Sequence, residues 1–184
     1  RKLTAALGEH TEESYLYRVD LRLRPMGRTG SLAYSLQQCE QYYSSWGETF
    51  ERFALIKARP IAGDRGLGRR FLDLVHPFVY RRYLDHAALE EMARYKARVN
   101  QAMKVHEADR NVKVGRGGIR DIELFTQVLQ LTYGGRTPEL CESNTLAALT
   151  ALARADLISE AVFHDLSEAY IFLRTVEHRL QIVH

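Results

Sequence analysis

Cysteine is scarce in this chain of 184 residues: there are two, Cys39 and Cys141, far apart and outside any CxxC or Cys/His spacing. That argues against a disulfide framework and a structural zinc site, and it fits a reducing compartment. Four prolines and twelve glycines are too few for a collagen-like or low-complexity chain. No apolar run approaches the roughly 18 to 20 residues that a membrane-spanning helix needs, and the first residues lack the basic, apolar, small-residue order of a signal peptide. A cytoplasmic protein without a membrane partner is expected. Charge of one sign is lacking too. Lysines and arginines total 26 against 23 acids, and a net charge of +3 does not by itself predict a nucleic-acid partner. What is present, 46% hydrophobic and 27% charged residues, suits an ordinary globular chain with a sizeable core, one full domain or parts of two. Because it starts at Arg1 and stops at His184 inside a periodic apolar pattern, it is expected to be a piece of something longer.

From Tyr15 to Leu23 the residues alternate, placing Tyr15, Tyr17, Val19, Leu21 and Leu23 on one face and Leu16, Arg18, Asp20 and Arg22 on the other. This predicts a strand. Arg24 follows on the polar face, and Pro25, which has no N–H to donate, ends the strand in the turn Met26 to Gly30. A short second strand is expected over Ser31 to Tyr34. Helical periodicity then takes over. Ser35 with Gln38 forms a capping-box pattern for a helix that Gly47 closes, and a second helix is expected from Glu48 to Ala58, ending before Pro60. Pro60 to Gly68 reads as a loop, and Leu67 to about Lys104 as a long helix broken near Pro77. Asn111 to Val114 is expected to be extended and to run through Gly115 to Gly118 into a helix over Ile119 to Tyr133, which Gly134 and Gly135 stop. Thr137 and Pro138 suit a short helical turn, and Ser143 is the expected cap of a helix reaching Ala155. The final helix carries Val162, Leu166, Ala169, Leu173, Val176, Leu180 and Val183, a spacing that predicts a bundle seam.

Three groups are candidates for chemistry. Period two puts Arg18, Asp20, Arg22 and Arg24 on one strand face. There a carboxylate between guanidinium groups suits Mg²⁺ and phosphate oxygens, while spacing alone favours a solvated face of mutually neutralised charges. Lys57 extends the row Trp46, Phe50 and Phe53, where an apolar residue is normal, so its ammonium must snorkel out or meet an anion. Arg59 adds charge just beyond. The plain alternative is helix-end charge complementing the macrodipole. Gly115 to Asp121 leads glycines into a helix and matches neither the Walker A pattern nor the dinucleotide fingerprint. It serves either to offer backbone N–H groups to phosphate or to make a tight connection needing positive φ. The histidines form no metal spacing, and no nucleophile motif stands out.

The strings YRVDLRLRPMGRTGSL (Tyr17 to Leu32), ERFALIKARPIAGD (Glu51 to Asp64) and NVKVGRGGIRDIEL (Asn111 to Leu124) together resemble the glutamine synthetase adenylyltransferase family. The resemblance covers essentially the whole chain. Proteins of this family contain two nucleotidyltransferase units, each with a helical companion; one attaches AMP to a tyrosine of glutamine synthetase and the other removes it by phosphorolysis, releasing ADP. The resemblance implies a mainly α fold: the C-terminal remnant of an α/β nucleotidyltransferase domain over residues 1–75, then a helical bundle over residues 76–184 that is truncated at its C-terminal end. It implies that Asp20 is a catalytic carboxylate and Mg²⁺ ligand, and that Arg22, Arg24, Lys57 and Arg59 meet nucleotide or phosphate. Glutamine synthetase, ATP or ADP, phosphate and a PII-type signalling protein are the implied partners. Arg18, Arg22, Gly47 and the run Ile56 to Arg59 are more similar to the N-terminal, AMP-removing unit.

One departure matters. The Asp-x-Asp pair that precedes this strand in the family is absent from the chain, and a single carboxylate cannot build a paired Mg²⁺ clamp for in-line displacement at phosphorus. The isolated chain is therefore expected to be inactive. A competing reading makes it a non-catalytic helical module that docks glutamine synthetase or a nitrogen-signalling protein. Nucleotidyl transfer to RNA is disfavoured, because aromatic residues are not interleaved with a continuous basic patch.

Overall fold

A computed structural model of the chain describes residue 21 and residues 23–83, 90, 93, 94, 97 and 111–183. Asp20, Arg22 and most of the strand expected from Tyr15 lie outside the described residues; Leu21 is irregular and Leu23 lies in a turn. Among the described residues the regular structure is helical, without a strand. The expected strand over Ser31 to Tyr34 is irregular. Its polar groups are engaged locally: Tyr34 Oη accepts from Ser31 N at 2.9 Å and donates to Pro25 O at 3.1 Å.

Helix α1 (Leu36–Ser45) starts on the expected capping box, Ser35 and Gln38 exchanging side-chain and backbone bonds. It stops where Trp46 N and Gly47 N both donate to Tyr42 O. Helix α2 (Thr49–Leu55) is shorter than expected, because Lys57 N turns to Ala54 O and Ala58 N to Leu55 O, a tighter winding that ends the α-helix before Pro60. Asp64 caps α3 (Arg65–Val79) by accepting from Gly66 N at 2.6 Å and Leu67 N at 3.1 Å. Pro77 does not break α3 but rides in its last turn. The helix ends three residues later at Tyr80, whose buried ring holds the chain against the core.

Two apolar clusters organise this half. Cys39, Tyr43 and Val75 join α1 to α3, with Tyr34, Tyr42, Leu55, Phe71, Leu74 and Phe78 around them. Phe53, Ile56, Val79, Tyr80, Leu124 and Leu131 form the other. The second cluster draws α2 and the end of α3 onto α4 (Ile119–Tyr133).

Beyond α4 a 3₁₀ turn (Pro138–Leu140) leads to α5 (Thr145–Arg154) and α6 (Glu160–Val183). Asn144, not Ser143, caps α5, its Oδ1 accepting from Leu146 N and Ala147 N. Ser143 stands one residue too early, and its carbonyl is spent on Lys57. Ala148, Leu149 and Leu152 of α5 are wholly buried, and α5 packs on both α4 and α6. Burying a leucine contributes about 1.5 to 3 kcal/mol, so α5 is the keystone of this half. The α6 seam is only partly covered: Leu166, Ala169, Leu173 and Val176 are half-buried, while Val162 and Leu180 are exposed. Gln130 is buried in α4 and donates to Leu140 O at 2.6 Å and Glu142 O at 2.8 Å, tying the 3₁₀ turn to the helix.

Candidate functional site

The basic candidates take up different tasks. Arg24 turns in on its own loop. Its Nε donates to Ser31 O at 3.0 Å, Nη2 donates to Gly30 O at 3.1 Å, and Nη1 donates to Leu21 O. One planar guanidinium thus meets the carbonyls of Leu21, Gly30 and Ser31. Within that loop Met26 has φ 60° and Gly27 has φ 53°, left-handed backbone that costs a non-glycine residue roughly 1–2 kcal/mol. Arg24 holds the chain to that shape together with the bonds of Gly27 N to Arg24 O, Thr29 N and Oγ1 to Met26 O and Tyr34 Oη to Pro25 O.

Lys57 leaves the end of α2 and crosses to the other half of the molecule. Its ammonium donates to Ser143 O and to Thr145 Oγ1, both at 2.8 Å. Burial pushes its pKa down; the Glu123 carboxylate works against that shift and Arg174 adds to it. The pattern predicts that it snorkels out or meets an anion; it is instead half-buried, with a backbone carbonyl and a neutral hydroxyl as its acceptors. Arg59, two residues on, is exposed. Asp20 and Arg22 lie outside the described residues.

Around Lys57 runs a set of polar side chains. Tyr170 Oη donates to Glu123 Oε1 at 3.0 Å. Burial is the main reason its phenol is held above the ordinary value. One turn along α6, Arg174 pairs with Glu177 at 2.7 Å, and Glu177 also holds Lys113 at 3.3 Å. Thr145, Tyr170 and Glu177 were not singled out by motif reasoning. A signal existed, since Tyr170 and Glu177 stand seven residues apart and so share one helix face, polar groups where a plain bundle seam would be apolar.

The glycine-rich turn is closed on itself. Asn111 Oδ1 accepts from Lys113 N and Val114 N, Gly118 N donates to Gly115 O, Ile119 N to Val112 O and Arg120 N to Lys113 O. Gly117 N donates to Asp121 Oδ2 at 2.8 Å. The N–H groups that a phosphate cradle needs are thereby committed to protein oxygens. Gly117 has φ 71°, and a Cβ on Gly118 would sit 2.8 Å from Val112 O and 2.9 Å from Gly115 O. The segment is therefore a tight connection whose glycines answer to backbone geometry. Asn111 to Val114, expected to be extended, is part of the same turn.

No group of three His, Cys, Asp or Glu among the described residues is placed to hold a metal ion, and Asp20 is one carboxylate. These residues do not by themselves fit a Mg²⁺ site. No helix of the described residues is long and apolar enough to cross a membrane.

Comparison with known proteins matches residues 1–74 to the family model described as glutamate-ammonia ligase adenylyltransferase, and residues 86–184 to that described as GlnD PII-uridylyltransferase. Among curated relatives, the bifunctional glutamine synthetase adenylyltransferase/adenylyl-removing enzyme of Nitrosococcus oceani is 45% identical over 181 residues, 98% of this chain and 19% of that protein. The enzymes of the same name from Rhizobium meliloti and Hahella chejuensis are 46% and 43% identical over 191 and 181 residues, covering 100% and 98% of this chain and 19% of each relative. The chain thus spans about a fifth of the length of the relatives it matches.

Proposed function

The chain belongs to the glutamine synthetase adenylyltransferase family, and on that premise we propose that it forms part of a cytoplasmic enzyme that transfers AMP to, or removes it from, a tyrosine of glutamine synthetase. The observation that carries this reading is identity of 43 to 46% across essentially the whole chain to enzymes bearing that name. The sequence details around Arg18, Arg22 and Ile56 to Arg59 favour the AMP-removing unit. In that reaction an oxygen of inorganic phosphate attacks the phosphorus of the tyrosyl AMP, a new P–O–P bond forms, and the tyrosine oxygen leaves and regains its proton. ADP and the unmodified tyrosine are the products.

Asp20 supplies one carboxylate towards a Mg²⁺ site that other parts of the protein complete. Arg22, Arg24, Lys57 and Arg59 supply positive charge for the phosphate and nucleotide oxygens, where fixed cations stabilise charge that builds up at phosphorus. Arg24 contributes by ordering the loop that follows the Asp20 strip. A PII-type regulator is a further partner in this reading.

The test compares full-length wild-type enzyme with Asp20→Asn. Adenylyl removal falls about 100-fold or more and its Mg²⁺ dependence moves to higher concentration. Undiminished removal with unchanged Mg²⁺ dependence overturns the assignment.

The exposed apolar residues of α6, Ile171, Phe172, Leu180 and Ile182, favour a second reading in which residues 111–183 act as a docking module for glutamine synthetase or the regulator. Full-length protein with Phe172→Ser and Ile182→Ser that binds both partners undiminished removes that reading.

A further inference from the structure

The loop that follows the Asp20 strip is pinned from both of its arms. From the first arm Arg24 reaches across, donating from Nε to Ser31 O at 3.0 Å and from Nη2 to Gly30 O at 3.1 Å, while Nη1 donates back to Leu21 O. From the second arm Tyr34 reaches the other way. Its hydroxyl accepts from Ser31 N at 2.9 Å and donates to Pro25 O at 3.1 Å. Pro25 is buried, so its carbonyl needs a partner within the protein, and without one the lost hydration of that oxygen goes uncompensated. Gly30 stands between the arms, and a Cβ there would overlap both Pro25 O and Tyr34 Oη. The arms meet too closely at that point for any side chain.

The Tyr34 ring, by contrast, belongs to the helical core. It packs on the Cys39, Tyr43 and Val75 cluster that joins α1 to α3, directly before the Ser35 cap of α1. We infer that Tyr34 is a positioning residue: its hydroxyl braces residues 24–31 on the α1/α3 core and so fixes Leu21 and Arg24, which continue the chain from Asp20. The path runs from the ring to the hydroxyl, from there to Pro25 O and Ser31 N, and through the Arg24 guanidinium to Leu21 O, the carbonyl next in sequence after Asp20. The left-handed backbone at Met26, φ 60°, is costly for a residue with a Cβ and persists only while the two arms are held together. The catalytic consequence rests on the proposed role of Asp20; the brace itself is measurable without activity.

The experiment uses the full-length protein with Tyr34→Phe, which keeps the ring in the core and removes only the hydroxyl, and with Gly30→Ala, which keeps the hydroxyl and forces the arms apart. Asp20→Asn, alone and combined with Tyr34→Phe, completes the set. Hydrogen exchange reads opening of the loop, and steady-state kinetics of adenylyl removal with inorganic phosphate reads KM and kcat separately. In both loop variants the Gly27 and Thr29 amides exchange about threefold faster or more, while the amides of α1 stay within about twofold of wild type. In both, kcat falls about 3- to 10-fold with the KM for phosphate within about twofold, and Tyr34→Phe adds less than about twofold in the Asp20→Asn background. Unchanged exchange at Gly27 and Thr29 in Tyr34→Phe overturns the brace. A loss of kcat that is just as large in the Asp20→Asn background overturns the positioning role, because a general weakening of the fold acts whether or not Asp20 is present. If Asp20→Asn alone leaves adenylyl removal undiminished while Tyr34→Phe still opens the loop, the role of Asp20 fails and the brace stands.

Discussion

Two turns rich in glycine and arginine flank the helices of this protein, and they are held in opposite ways. Residues 24–31 place a non-glycine residue, Met26, at φ 60° and leave several carbonyls to be met by the Arg24 side chain. Residues 111–121 put their positive φ on Gly117 and close almost entirely by backbone bonds, with Asn111 and Asp121 finishing the count. The first turn has a non-glycine residue at positive φ and is held by side chains, Arg24 with Thr29 and Tyr34, beside two backbone bonds. The second is closed chiefly by its own backbone bonds; a glycine stands at a tight position in both turns, Gly30 beside Pro25 O in the first and Gly118 beside Val112 O in the second. A turn built the second way serves as a fixed connection.

That contrast can be broken in three places. The largest effect is expected at Gly118→Ala: the added methyl meets the carbonyl oxygens of Val112 and Gly115, which cannot swing aside, and the loss is about 2 to 3 kcal/mol in chemical unfolding. A loss below about 0.5 kcal/mol would show that the second turn yields more readily than its geometry implies. Arg24→Met comes next. It removes the donors to Leu21, Gly30 and Ser31, costing about 1 to 2 kcal/mol because water takes over part of their role, and it speeds amide exchange and proteolysis across residues 24–31 while leaving residues 111–121 protected. Equal loosening of both turns would remove the distinction.

The smallest effect concerns acid. The α3 start relies on the Asp64 carboxylate, whose backbone bonds from Leu67 and Gly66 hold its pKa below the ordinary 3.8, whereas α4 starts on Gly118 with no side-chain cap. A carboxylate with a depressed pKa stabilises the fold above the ordinary value, and that contribution is lost as pH falls through its folded value. Amides at the start of α3 therefore lose protection in acid in native protein but not in Asp64→Asn, which keeps a neutral cap, as hydrogen exchange on a pH series would reveal.

Several elements were legible from local pattern. Ser35 with Gln38, Gly47 after α1, the run from Ile119 to Tyr133 and the halt at Gly134 all read correctly, since capping chemistry and 3.6-residue periodicity act within a few residues. The misread positions share a cause. Ser31 to Tyr34 has strand-like composition, but Tyr34 and Arg24 claim its polar groups from three to nine residues away. Ser143 has cap chemistry, but its carbonyl goes to Lys57, 86 residues earlier in the chain. The break expected near Pro77 is met at Val79, with Pro77 riding in the last turn of α3 and Tyr80 following it.

The site divides along the same line. Arginines beside a lone aspartate, an out-of-place lysine on an apolar row and the three ordered strings that resemble the family are facts of the amino-acid order, and it was the strings together that indicated the family. Where Lys57 points, that its acceptors are Ser143 O and Thr145 Oγ1, and that Tyr170 meets Glu123 were settled only by packing α2, α4, α5 and α6 together. A hydrogen bond acts over about 3 Å whatever the sequence separation, so contacts between residues 47 and 88 positions apart could only emerge once the helices were in place.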